Sequence, residues 1–466
     1  MKNLLTWYTT ITLLAIAIVF ASCDKSHDET IDIDQTDYAD HTIIMYGCGG
    51  GDLDDFLLLN LCEIEYFGYT ENVNFTALVK FSESYQDQYP GTRQITLEQS
   101  GFTDVLYSDV AFELNDPSNI AQFILEAKER MPAKKYTLIL WNHGGAISAY
   151  DLPYSTTKAI CFDDYYENTA ISILDLEDAL EIAGGVDLVY FDACSMNMIE
   201  NVYQLRDQTN YVLGSAHVTP AFGGNYIELL DALNNNEDIV DAIEVYIPKA
   251  LNLWKTLSGE SEGLDLTLID VTCLEELVDY IAIYIDMLIE LRGSYLNGSE
   301  QDELEFYYYN GDSSDYAREY FESQDEDSYH YYYSEGGILN TFPYSRYSVD
   351  LAYAFEQFSY LNEYNVVSTS IMVTYLMNKA IKAQSYVIEP SATMCNVSLG
   401  ICWSSNEDYY TEKPNGARLA DVYPLLDFEK ATQWSRFIEG NYMRPVGIRE
   451  ELDIETGEYY NVYYEL

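Results

Sequence analysis

Two residues with the side chains for nucleophilic chemistry stand at equivalent places in this sequence. His143 comes two residues after the apolar run Thr137–Trp141, and Cys194 comes three residues after Asp187–Phe191; 51 residues separate them. A thiolate, not a thiol, attacks a carbonyl carbon. An imidazole can take the proton from the thiol and later give it to a leaving amine. The backbone amides of Gly144 and Gly145 carry no side chain over them, and with the Cys194 amide they can donate to a developing oxyanion. A helix expected from about Ser195 to Leu205 would place Cys194 at the positive end of a macrodipole, which favours thiolate. Taken singly, a cysteine is more often a small buried hydrophobe and a histidine a satisfied loop residue. Their pairing at two strand ends makes chemistry the better reading. Of the five histidines, His27 and His41 fall at or near an N-terminal tether and His330 in an acidic stretch. His217, just past Tyr211–Ser215, is the other one at a strand end.

These residues need a scaffold of strands that end side by side. From residue 42, short unbroken apolar runs alternate with amphipathic stretches. Strands are expected at Thr42–Tyr46, Asn74–Phe81, Thr137–Trp141, Asp187–Phe191 and Tyr211–Ser215, and helices at Asp54–Phe67, Asn119–Arg130 and Asp175–Ala183. Alternation of this kind, with strands apolar on both faces, predicts a mainly parallel sheet covered by helices on both sides. Ligands in such sheets bind beyond the carboxyl ends of the strands, where His143 and Cys194 lie. The second half is less regular. It carries a strand at Leu264–Asp270, helices at Leu274–Leu291, Ser348–Tyr360 and Ser370–Gln384, and a late strand at Val397–Trp403. Residues 299–335 hold 12 acids, one base and nine tyrosines and read as an inserted, solvated loop.

Composition excludes one large class of function. With 78 Asp and Glu against 23 Lys and Arg, the formal net charge is -55. A phosphate backbone would be repelled, so nucleic acid is not a partner. Basic or neutral substrates would be drawn in.

The first residues read as a targeting segment. Lys2 precedes the apolar run Leu4–Phe20, and Ala21-Ser22-Cys23 follows. This is a secretory signal, and its small-small-Cys ending resembles a bacterial lipobox, in which Cys23 is lipidated and becomes the new N-terminus. Residues 1–22 are then a lipoprotein signal peptide and 23–41 an acidic tether. The expected location is the bacterial cell envelope, with the protein held to a membrane by a lipid anchor at the outer membrane or cell surface. Seven further cysteines have no CxxC pairing and no histidine at zinc spacing. Their odd number leaves at least one thiol unpaired.

Trp141-Asn142-His143-Gly144-Gly145 and Asp192-Ala193-Cys194-Ser195-Met196 resemble the two motifs of the clostripain family of cysteine endopeptidases, W-x-H-G and D-A-C-x-M. Met45-Tyr46-Gly47 with Gly51-Asp52-Leu53 resembles the family's first strand and turn. Cys161-Phe162-Asp163-Asp164 with Leu176–Leu180 resembles the segment between its His and Cys. Weaker similarities at Leu266–Val271, Ser348–Leu351, Asp427-Phe428 and Thr432–Trp434 extend the resemblance over roughly residues 42–438. It implies a caspase-like αβα sandwich with an elaborated C-terminal half. Cys194 would be the nucleophile, His143 the acid and base, and Gly144 and Cys194 the oxyanion donors. Asp192 corresponds to an acid used near the pocket that binds a P1 Arg or Lys. One departure stands out: Ala216–Tyr226, expected to form a pocket wall with His217 in it, contains no acid, whereas the family usually has acids there. Self-cleavage between the His and Cys segments would have only Lys158 to use. Some relatives need calcium; no EF-hand spacing is present and no metal site is assigned.

The sequence therefore predicts a catalytic core at 42–230, completed by 231–466, and an exported, lipid-anchored cysteine endopeptidase cutting peptide or protein substrates after a basic P1 residue, without a cofactor. The alternative is a surface binding protein that keeps the fold without turnover.

Overall fold

The structure is a computed structural model. It describes residues 38–50, 52–145, 160–163, 169–216, 219–258, 264–296, 304–309, 341–342, 348–352, 355, 364–387, 399–402, 422–438, 441–452 and 459–465. The expected signal peptide, Cys23, His217, Lys158 and most of 299–335 lie outside these residues. Within them the chain forms two compact units. One takes residues 38–144, 160–193 and 219–257; the other takes 145, 194–216 and those from 258 onward.

The first unit is built on β1 (Ala39–Cys48), β2 (Val73–Lys80), β3 (Thr92–Glu98), β4 (Gly101–Ser108), β5 (Ala133–Trp141) and β8 (Leu188–Asp192). A short antiparallel pair, β6 (Ile160–Asp163) and β7 (Thr169–Ile171), lies outside this sheet. The sheet order is β8-β5-β1-β2-β3-β4. β8, β5, β1 and β2 are parallel, and β3 and β4 add an antiparallel hairpin. Every residue of β8 is buried, as is all but one of β1, which is why these strands read as unbroken apolar runs. From β1 the chain steps one way to β2 through α1 (Asp54–Phe67). From β5 it steps the opposite way to β8 through α3 (Ile173–Ala183). Right-handed crossovers in opposite directions put these two helices on opposite faces. The reversal falls between β1 and β5, which makes their carboxyl ends the switch point of the sheet.

Local signals set the helix ends. Asp116 Oδ1 accepts from Ser118 N at 2.8 Å ahead of α2 (Pro117–Arg130), with Pro117 at the first helical position. α3 starts with a capping box between Ser172 and Asp175 and ends at Gly184, whose φ of 74° is left-handed. A buried ion pair joins the sheet to the segment between the two motifs. Lys80 Nζ, at the end of β2, contacts Asp163 Oδ2 at 2.5 Å and donates to Phe112 O at 3.1 Å; both charged side chains are nearly inaccessible.

In the second unit, strand Tyr211–Gly214 pairs antiparallel with Leu264–Asp270, which pairs antiparallel with Ile381–Val387. Glu200 is fully buried. Its Oε1 accepts from Cys402 N and Tyr423 Oη, both at 2.9 Å, and burial raises its carboxyl to about 7. Strand Leu304–Tyr309 runs parallel to Asn441–Leu452, so part of the acidic, Tyr-rich stretch is sheet rather than loop.

Several expected elements differ. β1 starts at Ala39, so His41 sits inside a strand, fully buried, with Nε2 at 2.8 Å from Asn236 O. Ser348–Asp350 is a short strand, not the start of a helix. The helix placed at Ser370–Gln384 is Tyr364–Ala380, and the chain then turns into Ile381–Val387 because that segment's backbone pairs with the strand Leu264–Asp270. Two helices, Tyr226–Asn235 and Ile239–Ser258, had not been expected. The first had a signal: Asn225, whose side chain accepts from Glu228 N, stands three residues before Glu228. Among the described residues, no helix is long and apolar enough to cross a membrane.

Candidate active site

Trp141 and Asp192 are register partners in the parallel pair β5–β8. His143 and Cys194 each follow two residues later, so the two motifs leave the sheet from the same rung. This ladder is what turns 51 residues of sequence separation into adjacent strand ends.

Asn142 fixes the first exit. It is buried; its Nδ2 donates to Cys48 O at 2.7 Å, its Oδ1 accepts from Phe162 N at 2.8 Å, and its N donates to Asp192 O at 3.4 Å. One residue thus ties β1 and β6, through its side chain, and β8, through its backbone, to the end of β5. His143 follows, with its side chain about one-third exposed and its Nε2 at 2.9 Å from Asp52 Oδ1. Gly144 forms an isolated antiparallel bridge with Ile160.

At the second exit the expected geometry changes. Cys194, which is partly accessible, lies in a turn, and the helix begins only at Ile199 and spans six residues. Ser195 has a φ of 56°, which no helix accommodates. Residues 197–198 pair with neighbouring strands instead: Asn197 N donates to Ser215 O, its Nδ2 reaches Gly214 O and Thr267 O, and Met198 bridges Gly400. The helix macrodipole therefore does not act on Cys194, since the effect fades within one turn of a helix end.

Asp192 does not cap a helix. Its carboxylate is buried, and Oδ2 accepts from Gly224 N at 2.8 Å and Tyr226 Oη at 2.7 Å. Burial raises this carboxyl to about 6, and the two hydrogen bonds oppose the rise. The turn it holds is tightly enclosed. Asn60 Nδ2 and Trp254 Nε1 donate to Phe222 O and Gly223 O, at 3.0 and 2.9 Å. Gly223 has a φ of 69°, and a Cβ there would stand 2.4 Å from Asn60 Oδ1 and 2.8 Å from Trp141 Nε1. Only glycine fits.

A second carboxylate, one not picked out in the sequence, belongs to this cluster. Glu63 of α1 accepts from Tyr226 N at 3.3 Å and from Asn60 Nδ2 at 3.4 Å. Burial lifts its carboxyl to about 7, with Asp192 adding to the rise. Nothing local marks Glu63 among 78 acids; only the packing of α1 against the helix Tyr226–Asn235 brings it here. The stretch 216–226 lacks acids in sequence, and α1 brings one to Tyr226. Among the described residues, no group of three or more His, Cys, Asp or Glu side chains is placed to hold a metal ion.

A mainly parallel α/β sheet with a cysteine and a histidine leaving one rung defines the class within which relatives are to be sought. The family model described as the clostripain family matches residues 93–440, and the chain belongs to that family. Clostripain of Hathewaya histolytica is 29% identical over 299 residues, which are 57% of this chain and 52% of the relative. The chain thus spans about half the length of that curated relative. Among solved structures, a secreted C11 cysteine protease from Bacteroides thetaiotaomicron bound to an irreversible peptide inhibitor aligns with a TM-score of 0.58 at 16% identity, over 85% of this chain and 100% of the other. An inactive zymogen C11 protease from Parabacteroides distasonis aligns with a TM-score of 0.52 at 17% identity, over 85% and 99%. The fold is that of C11 proteases, with the caspase-like architecture expected. The family match begins in β3, so the segment from β1 to β2, which includes Asp52 in its first turn and Glu63 on α1, precedes it.

Proposed function

We propose that this protein is a cysteine endopeptidase in which Cys194 is the nucleophile and His143 the general acid and base. The observation that carries the reading is the shared rung Trp141–Asp192, from which both motif residues leave. The Cys194 thiolate adds to the scissile carbonyl, and backbone amides at Gly144, Gly145 and Cys194 receive the oxyanion. His143 protonates the leaving amine as the acyl-enzyme forms, then takes a proton from the water that hydrolyses it. Both proton transfers and the nucleophilic attack are assigned to side chains of this chain, so the proposal includes no cofactor.

The same proposal extends to a basic P1 residue. Asp192 and Glu63 are joined through Tyr226, and among the described residues neither forms an ion pair with Lys or Arg. A guanidinium or ammonium from the substrate would complete this cluster, and a net charge of -55 would speed its capture. His217 is proposed to line the same pocket. The pH dependence has a definite sign. Both carboxyls are raised by burial, to about 6 and about 7, so both are largely protonated at pH 5 and ionised by pH 8. Preference for P1 Arg over P1 Leu, as a ratio of kcat/KM, is expected to grow across that interval and to shrink in Asp192→Asn and Glu63→Gln. Equal cleavage of Arg and Leu peptides at pH 8 would remove the basic P1.

Lipid anchoring belongs to the same proposal, and it rests on the run Leu4–Phe20 followed by Ala21-Ser22-Cys23. Cys23→Ala is expected to move the protein from the membrane pellet to the soluble fraction. A variant with a processed signal that still pellets with membranes would refute the anchor.

A further inference from the structure

We propose that Asp52 is a positioning residue that fixes the tautomer and orientation of His143. The proposal rests on the reading of His143 as the acid and base. Asp52 Oδ1 lies 2.9 Å from His143 Nε2. A carboxylate only accepts, so this bond requires the proton on Nε2 and leaves the Nδ1 lone pair free to act as base.

Asp52 is itself 78% exposed, and an exposed pair by itself would count for little. What gives this pair meaning is the backbone beneath it. Asp52 N and Leu53 N both donate to Gly50 O, at 2.7 and 3.3 Å, closing a tight turn after β1. Gly50 has a φ of 49°, and a Cβ there would lie 2.9 Å from Asn142 Nδ2 and 3.0 Å from Phe162 O. The turn that carries Asp52 therefore rests directly on Asn142, the residue before His143. Asn142 in turn holds Cys48 O, two residues before Gly50, at 2.7 Å. Behind the turn, Gly49 N donates to Lys80 O at 2.8 Å. The two loops meet at the switch point between β1 and β5, and both are fixed by buried contacts. The Asp52–His143 bond thus joins two segments whose flanking backbone is already hydrogen-bonded, which lowers the entropy cost of forming it.

The test uses the full chain and four variants: Asp52→Ala, Asp52→Ser, Asp52→Asn and His143→Ala. Asp52→Ala and Asp52→Ser are expected to lower kcat about 10-fold, the lower end for a charge-assisted bond because Asp52 is exposed. KM should stay within about 2-fold and the melting temperature should not move, because no buried group is left unpaired. Asp52→Asn keeps an acceptor oxygen and should recover part of the loss. Nitrogen-15 shifts of His143, assigned by difference from His143→Ala, should show the Nε2–H form in the wild type and a tautomer mixture in Asp52→Ala. Wild-type kcat in Asp52→Ala and Asp52→Ser alongside an inactive His143→Ala, or an Nδ1–H tautomer in the wild type, overturns the role of Asp52 and leaves the peptidase reading standing. An active His143→Ala overturns that reading itself.

Discussion

Cys194→Ala and His143→Ala are each expected to reduce turnover on the order of 10⁴-fold or more, and the double variant to be scarcely slower than either. The reason is that the two groups work on one proton. Without the imidazole the thiol is not activated and the leaving amine is not protonated; without the thiol there is nothing to activate. Losses that multiplied in the double variant would mean that the two residues act in separate steps or at separate places. Melting temperatures should be nearly unchanged, since both side chains are partly exposed and lie outside the apolar core. The measurement is kcat/KM on one peptide series for all four proteins. Retained proteolysis in either single variant would reject the site.

The second large effect is on stability. Lys80→Met should cost about 3–5 kcal/mol, because it removes the cation paired with the Asp163 carboxylate in a site where both partners are nearly inaccessible. The double variant Lys80→Met with Asp163→Leu should regain most of that loss, since a buried ion pair is worth little against well-packed apolar groups. Urea unfolding of the three proteins decides it. A double variant no more stable than Lys80→Met would show that Asp163 is held by its other contacts and not by the lysine charge.

The parallel strands of the first unit and the two chemical motifs were legible because burial on both faces writes itself as an apolar run. Asp54–Phe67 and Leu264–Asp270 have the bounds expected of them. What could not be read is whatever depends on distant partners. The stretch after Cys194 has helical composition, but Asn197 spends its hydrogen bonds on Ser215, Gly214 and Thr267, and the helix waits until Ile199. Asp192 is marked in sequence only by its place in a motif; its burial under Gly224 and Tyr226 is a tertiary fact. Glu63 and Asp52 lie on a helix and a turn whose partners are encoded some 90 to 160 residues later. The hairpin of β3 and β4 went unseen because one strand is largely exposed and lacks a clean apolar face.

The division of the chain has a consequence for how it is made. The first unit is not continuous in sequence. Ile43 of β1 pairs with Thr137 of β5, and Tyr226, which caps Glu63 of α1, emerges later still. A ribosome has produced just over half of the 466 residues before the last element of that unit is available. Closing loops of this length is slow, because their entropy must be lost before the contacts repay it. The nascent chain therefore passes through the first half of its synthesis without a finished first unit. The Asn142 junction needs β1, β5, β6 and β8 together, so it cannot close before Asp192 has emerged. The site proposed at His143 and Cys194 is thus withheld by topology alone from any shorter growing polypeptide.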